Sequence, residues 1–254
     1  MKNIKVTLLH HTPLYIASDG ARTCWASQDK SDTAYIQHCM DCDSSNINSV
    51  TMICNECSSD RVAITKPIGP KDLALLDRVG NKFHHSSVLE HIVFNFFIDG
   101  ISRACLQELA RHRLTSLSVK SSRYTLKELK DEPTFIGPTY DYKRASKYIL
   151  LTNSSNGSVQ HVDRYSVDAL DNLRLLIANG TSNDKAKYCM PESYRTQLTW
   201  TINMRSLQNF LSLRTDRKAL LEIQHLAYLI YQSLPTEVQS LVAHCIKGEE
   251  NATV

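Results

Sequence analysis

Apolar positions along the chain recur with two different periods, and the switches between them predict its elements. KVTLLHH at 5–11 predicts a short strand, and Pro13 opens a helix through IASDGARTCWAS. From 31 to 69 the periodicity is lost. Ser, Asn, Asp and Cys are dense there, Pro67 and Gly69 close the stretch, and the segment reads as an irregular insertion. KDLALLDRVGN at 71–81 regains helical spacing. HHSSVLEH at 84–91 predicts a helix capped by Ser86 or Ser87, with Glu90 three residues beyond Ser87 in a capping-box pattern. HIVFNFFIDG at 91–100 is branched, aromatic and closed by Asp-Gly, so it predicts a strand. SRACLQELARHR at 102–113 predicts a helix from a Ser cap, with Glu108 and Arg111 one turn apart on its polar face. The stretch that follows reads mostly as loop. Residues 141–152 and 162–178 predict two helices joined by a polar loop at 153–158, and Asn179-Gly180 stops the second. YRTQLTWTIN at 194–203 predicts a strand. MRSLQNFLSLR at 204–214 and KALLEIQHLAYLIYQSL at 218–234 predict helices. No internal repeat is legible. The sum is a mixed α/β fold with long helices and few strands.

Composition narrows the class. A chain of 254 residues fits one large domain or two small ones. The net charge of +3 is too mild for a nucleic-acid coat, so any strong basic cluster is local. No apolar run is long enough to span a membrane, and the start of the chain carries no legible signal peptide. Eight cysteines without an export signal are expected as thiols or metal ligands in a reducing cytoplasm.

Two stretches carry chemistry. RHRLTSLSVKSSRY at 111–124 gathers Arg111, Arg113, Lys120 and Arg123 with several hydroxyls. A guanidinium is a planar fork of donors matched to phosphate, and hydroxyls at a turn complete an anion cradle. The segment alone fits a phosphate-bearing ligand and equally a solvated basic loop that touches RNA. TINMRSLQNFLSLR at 201–214 places Asn203, Arg205, Asn209 and Arg214 in one strand-to-helix passage. Carboxamides offer donor and acceptor together, which suits the edge of a flavin or a pyrimidine; an Asn cap and surface arginines would look the same.

Arg111-His112-Arg113, seven residues, then Ser121 resembles the signature of the flavin-dependent thymidylate synthases (the ThyX family). ARTCW near 21–25, HSSVLEH at 85–91, SRACLQELARHR, AKYCMPESYRTQLTWTIN at 186–203 and NMRSLQNFLSLR resemble that family in the same order. The resemblance covers nearly the whole chain except about 33–69. It implies one catalytic domain over 1–254 with a largely antiparallel sheet, and a homotetramer that binds FAD between subunits. It further implies NADPH as reductant, methylenetetrahydrofolate as one-carbon donor, and conversion of dUMP to dTMP, in the cytoplasm and without nucleic-acid or membrane partners. The matching flavin-side residues are His85, Ser87, Glu90, Arg111, His112, Arg113, Asn203, Arg205 and Asn209. The dUMP side takes Glu108, Arg111, Lys120, Ser121, Ser122, Arg123, Lys187 and Arg214, with Arg214 against the uracil ring as the catalytic residue. Ser121 is assigned to binding, since the sequence supplies no base beside it. The chain departs from the family pattern at Ser118, where Asn is usual, at Val119, where Glu or Gln is usual, and at Lys187, where many relatives have Arg. Lys keeps the charge there but loses the fork.

The insertion holds HCMDC at 38–42 and CNEC at 54–57: CxxC, eleven residues, CxxC. Cys39, Cys42, Cys54 and Cys57 form a candidate structural zinc site around a short hairpin, although neither pair has a trailing Gly. Cys24, Cys105, Trp25 and Trp200 are expected in the core. Two other readings stay open at this level. One is a nucleic-acid-binding zinc-ribbon protein that uses 111–124 on phosphates. The other is a flavin or nucleotide sensor on the same fold.

Overall fold

Alternation in the apolar runs builds a sheet, and the helices leave directly from its strand ends. The computed structural model describes residues 4–152 and 157–248. These form two compact units. One is built from residues up to His10, from Phe94 to Ile202 and from Ser206 onward; the other from His11–Val93 and Asn203–Arg205.

In the first unit, strands β1 (Lys5–His11), β4 (Val93–Ser102), β5 (Thr115–Val119) and β6 (Arg195–Asn203) form one sheet in the order β1-β4-β6-β5. Phe94, Phe96 and Ile98 of β4 and Leu198, Trp200 and Ile202 of β6 are buried at every second position, as a strand with one covered face requires. Helix α3 (Arg103–Ala110) leaves β4 through the predicted cap: Ser102 Oγ accepts from the Cys105 N–H at 3.0 Å. The Ser102 N–H in turn donates to Glu222 at 2.7 Å, on helix α9 (Leu221–Gln232). Helix α8 (Met204–Arg214) follows β6 without a break and buries Leu207, Phe210 and Leu211. Phe96, Trp200 and Phe210 pack in sequence, the first pair tilted and the second edge to face, with ring centroids 5.9 and 5.1 Å apart.

A second core of this unit lies under helix α6 (Gly157–Ala178). Val167, Leu170, Leu173 and Ile177 meet Leu126, Leu129, Phe135, Ile149 and Tyr194. The Asn179-Gly180 stop is a left-handed cap: Gly180 has φ +81°, its N–H donates to Ile177, and the Thr181 N–H donates to Leu176.

The second unit holds α1 (Leu14–Cys24), a hairpin of β2 (Ile36–Cys39) and β3 (Val62–Thr65), and α2 (Pro70–Leu76). Strands β2 and β3 pair antiparallel with Cys39 opposite Val62. The insertion is therefore ordered rather than irregular. Its two ends are clamped by Asp32 and Asp72. Asp72 accepts from Arg22 Nε, Ser31 Oγ and Thr33 Oγ1, each at 2.6 Å, and Asp32 accepts from the N–H groups of Lys71 and Asp72 at the start of α2.

Several expectations fail for tertiary reasons. Residues 86–91 form a 3-10 turn that starts after His85 with no side-chain cap, because the Glu90 carboxylate pairs with Arg205 at 2.6 Å instead of closing a capping box. Of the helix expected at 141–152 only α5 (Tyr142–Ala145) forms. The chain then pairs with 193–195, where Leu150 N–H meets Ser193 and Arg195 N–H meets Tyr148, both at 2.7 Å. Of the loop expected at 153–158, residues 153–156 lie outside the described residues, and Gly157 and Ser158 already belong to α6. Helix α10 (Thr236–Val242) was not predicted. Trp25 is 74% exposed and Cys24 is exposed, whereas Trp200 and Cys105 are buried as expected. Among the described residues no helix is long and apolar enough to cross a membrane.

Candidate active site

The basic stretch 111–124 is split by a strand. Thr115–Val119 is edge strand β5, antiparallel to β6 with Leu117 opposite Trp200, not the loop expected from its hydroxyls. Its alternation was visible: Thr115, Leu117 and Val119 are half-buried, and Ser116 and Ser118 are exposed. At about 3.3 Å per residue, Arg113 and Lys120 are held roughly 20 Å apart. The cations therefore form two groups, one at each end of β5. Between the first group and the strand, Leu114 adopts φ +60°, a left-handed conformation that a bulky side chain rarely takes.

The first group centres on Arg214, at the end of α8. Its Nε donates to His112 Nε2 at 2.9 Å, Nη1 to Glu108 Oε2 at 2.8 Å, and Nη2 to the Glu108 carbonyl at 3.1 Å. Three of its five N–H donors are thus fixed on the end of α3, and two remain for a ligand. His112 is buried against Phe210, edge to face at 5.1 Å. Burial, and then the Arg214 cation, push its pKa down to about 4 against the opposing pull of Glu108. His112 is therefore a neutral acceptor at neutral pH, with its proton on Nδ1. Arg111 sits 3.6 Å from Glu108 and its side chain is 75% exposed. Glu108, Arg111, His112, Arg113, Asn209 and Arg214 line a cleft of about 710 Å³. Asp216, Lys218 and Lys247 complete its wall. Sequence reasoning assigned none of these three; the Asp-Arg-Lys run just after α8 was a signal for Asp216 and Lys218, and no motif marked Lys247.

The second group lies beyond β5. Ser121 precedes the short helix α4 (Ser122–Thr125), and its carbonyl accepts from the Tyr124 N–H at 3.1 Å. Arg123 pairs with Asp184 at 2.6 Å on α7 (Asn183–Ala186), and Asn183 donates to the Arg123 carbonyl at 2.8 Å. Lys187 is close enough to help hold the Asp184 carboxyl below its usual range, after the larger effect of Arg123. Lys120 is bound to Glu128 at 2.8 Å, and Glu128 also accepts from Tyr194 at 2.7 Å. Asp184 and Glu128 were not foreseen: Asp184 lies 61 residues from its cation, and Glu128, eight residues from Lys120, meets it at no helical or strand spacing. Among the described residues no hydrogen bond or ion pair links this group to Arg214. A continuous nucleic-acid platform, which the alternative reading requires, is not what β5 leaves.

In the second unit, Glu90 and Arg205 form the ion pair already described, and His85 and Ser87 are exposed. Asn203 belongs to the same unit, at the end of β6. The Sγ atoms of Cys39, Cys42, Cys54 and Cys57 lie within 4.8 Å of one another.

A flavin dinucleotide needs cations for its phosphates and paired donor–acceptor groups for its ring edge. The exposed Arg111 and Arg113 guanidinium groups and the Asn209 carboxamide on one cleft wall supply both, so the residues present fit that cofactor.

Comparisons with known proteins agree with this geometry. The family model described as thymidylate synthase complementing protein (Thy1) matches residues 7–238. The flavin-dependent thymidylate synthase of Wolinella succinogenes is 49% identical over 244 residues, covering 96% of this chain and 98% of that protein. That of Campylobacter jejuni is 46% identical with the same coverage. The crystal structure of Helicobacter pylori thymidylate synthase X with FAD and dUMP superposes with a TM-score of 0.77 at 43% identity, covering 96% of this chain and 100% of that one. A UMP/dUMP methylase of Streptomyces cacaoi shares the fold at a TM-score of 0.61 and 18% identity. With the RHR signature, the Arg214 cluster and near-complete coverage in agreement, this chain belongs to the thymidylate synthase complementing protein family, the family of the flavin-dependent thymidylate synthases.

Proposed function

We propose that this protein converts dUMP to dTMP with FAD as cofactor, methylenetetrahydrofolate as one-carbon donor and NADPH as reductant. The observation that carries the reading is the state of Arg214. Three bonds to His112 and Glu108 fix its guanidinium, and two N–H donors stay available. A cation held in place stabilises negative charge as it develops on a pyrimidine carbonyl, and so raises the nucleophilicity of C5 without reorganisation during the reaction. His112 is the positioning residue: kept neutral, it accepts from Arg214 rather than competing with it. When bound, FAD supplies the redox chemistry that completes the methyl group.

The other residues bind and orient. Arg111, His112, Arg113 and Asn209 serve the flavin from the cleft wall, and His112 also positions Arg214. The family resemblance assigns His85, Ser87, Glu90, Asn203 and Arg205 to the flavin as well, and the Glu90–Arg205 pair fixes one more guanidinium. Ser121, Ser122, Arg123 and Lys187 take the dUMP phosphate, which replaces or shares the Asp184 carboxylate now held by Arg123. Lys120, committed to Glu128, adds charge to that loop. Ser121 Oγ has no general base bonded to it among the described residues, which supports binding rather than nucleophilic attack. The largely exposed Arg111 supports a site completed by a neighbouring subunit, in a homotetramer whose units act as one catalytic domain. The eight free thiols suit a reducing cytoplasm. The thiol quartet of the insertion is given a structural rather than a catalytic part.

The test is direct. The purified protein, loaded with FAD and mixed anaerobically with NADPH, bleaches faster with dUMP present and yields dTMP once methylenetetrahydrofolate is added. A protein that takes up no FAD, or bleaches without forming dTMP, overturns the reading.

A further inference from the structure

The insertion contains a repeat that the sequence alone does not display. CMDCDSSN at 39–46 and CNECSSDR at 54–61 superpose bond for bond at an offset of 15 residues. The Asp41 N–H donates to Cys39 Sγ, and the Glu56 N–H to Cys54 Sγ, both at 3.4 Å. The Asp43 N–H meets the Cys39 carbonyl and the Ser58 N–H the Cys54 carbonyl, both at 2.9 Å. The Cys39 N–H meets Ser44 at 2.9 Å and the Cys54 N–H meets Ser59 at 2.8 Å. The two halves are also joined reciprocally, Met40 to Arg61 at 2.8 Å and Asn55 to Asn46 at 2.9 Å. Each half turns at the residue after its second cysteine, Asp43 at φ +56° and Ser58 at φ +59°. The backbone thus makes, with Asp and Ser, the left-handed turn for which a Gly would be the usual residue.

This arrangement has no apolar core to hold it. Between residues 31 and 66 the only buried side chains are Cys39 and Cys54. A four-residue hairpin is marginal by itself, and each left-handed non-Gly residue adds strain. The four sulfurs supply the missing term. Their closest pairs, Cys39–Cys57 and Cys42–Cys54, are 3.4 and 3.5 Å apart, and all lie within 4.8 Å. A tetrahedral zinc with bonds of about 2.3 Å sets an S···S edge of about 3.8 Å, inside that range.

We propose that Cys39, Cys42, Cys54 and Cys57 hold one zinc ion at the centre of two symmetry-related knuckles, and that this ion is what folds residues 36–65. All four positions are filled by protein, so the ion is structural. Iron takes the same sulfur set, but the exposed Cys42 and Cys57 leave a redox-active ion open to oxidation, which zinc does not suffer. Because Asp32 and Asp72 clamp both ends of the insertion, loss of the ion unfolds the knuckles and leaves the rest of the chain in place.

Elemental analysis of the purified full-length protein tests this, and the outcome is independent of dTMP synthesis. One zinc per chain is expected, falling toward zero in Cys54→Ser and in Cys39→Ser/Cys54→Ser. Backbone amide exchange of the wild type after treatment with a zinc chelator is expected to lose protection in 36–65 only, and added Zn²⁺ to restore it. Wild-type protein that carries no zinc and takes none up overturns the proposal. So does stoichiometric iron, zinc retained in the double variant, or protection of 36–65 that survives complete metal removal.

Discussion

Replacing Arg214 by Ala separates the energetic role of its cluster from the chemical one. The substitution strips His112 Nε2 of its donor. His112 is 8% exposed, and an unsatisfied buried acceptor costs about 1–3 kcal/mol. The Glu108 carboxylate, 32% exposed, is rehydrated, so the lost ion pair adds at most about 1 kcal/mol. A total of about 1–4 kcal/mol, at roughly 2–4 °C per kcal/mol for a chain of this length, lowers the unfolding midpoint by about 2–16 °C. The protein therefore stays folded at assay temperature, and FAD uptake remains measurable. Catalysis suffers more. Removing one preorganised charge-stabilising donor costs on the order of 10²–10³ in kcat, and here the whole cation is lost. Thermal unfolding, flavin absorbance and dTMP formation are measured on the same preparation. Arg214→Lys, which keeps the charge but not the fork, regains stability before it regains rate. A folded, FAD-loaded Arg214→Ala enzyme with wild-type kcat would refute the reasoning.

The remaining predictions concern the groups around this centre. The unfolded chain protonates His112 near 6.5 while the folded chain resists down to about 4, so its contribution to stability is complete above pH 6.5 and is lost as pH falls through that window. Urea unfolding of wild type and His112→Gln across pH 4–7 should show a shallower acid loss in the variant. Asp72→Ala leaves the buried Arg22 uncompensated and should cost about 3–5 kcal/mol in denaturant unfolding. Although burial opposes its ionisation, bonds from Ser31, Thr33 and Arg22 hold the Asp72 carboxyl below its usual range, so that stability is present at neutral pH and is lost only in strong acid. Gly69→Ala drives a Cβ into the Asp32 carboxylate and should loosen the clamp at the base of the insertion, read as faster amide exchange at 31–33 and 70–72. Asp184→Ala frees Arg123 and should lower the KM for dUMP while leaving kcat unchanged.

Legibility in the sequence followed locality. Strands β1, β4 and β6 and helices α3, α6 and α8 were visible because alternation or helical spacing ran unbroken through them and their caps were local. Strand β5 was misread because its polar positions are hydroxyls beside arginines, a composition that resembles a loop. The helix expected at 141–152 lost to a pairing with residues 193–195, which no local window contains. The residues of the Arg214 cluster were legible through the family signature, but their mutual arrangement was not. That His112 and Glu108 hold Arg214 rather than a ligand follows from contacts more than 100 residues apart. The repeat in the insertion escaped notice because it is a repeat of backbone bonds, while its side chains agree mainly at cysteine and serine.

Strand β5 turns the signature into a ruler. Arg113 and Ser121 are eight residues apart, and Thr115–Val119 between them run in register with β6. One residue added or removed within 115–119 would turn the half-buried positions beyond it outward and shift the chain that follows by one residue. The fixed spacing between the RHR triplet and the serine is therefore a length and a parity, set by hydrogen bonding along the sheet edge, and the identities of the spacer residues are free to vary as long as the ruler keeps both.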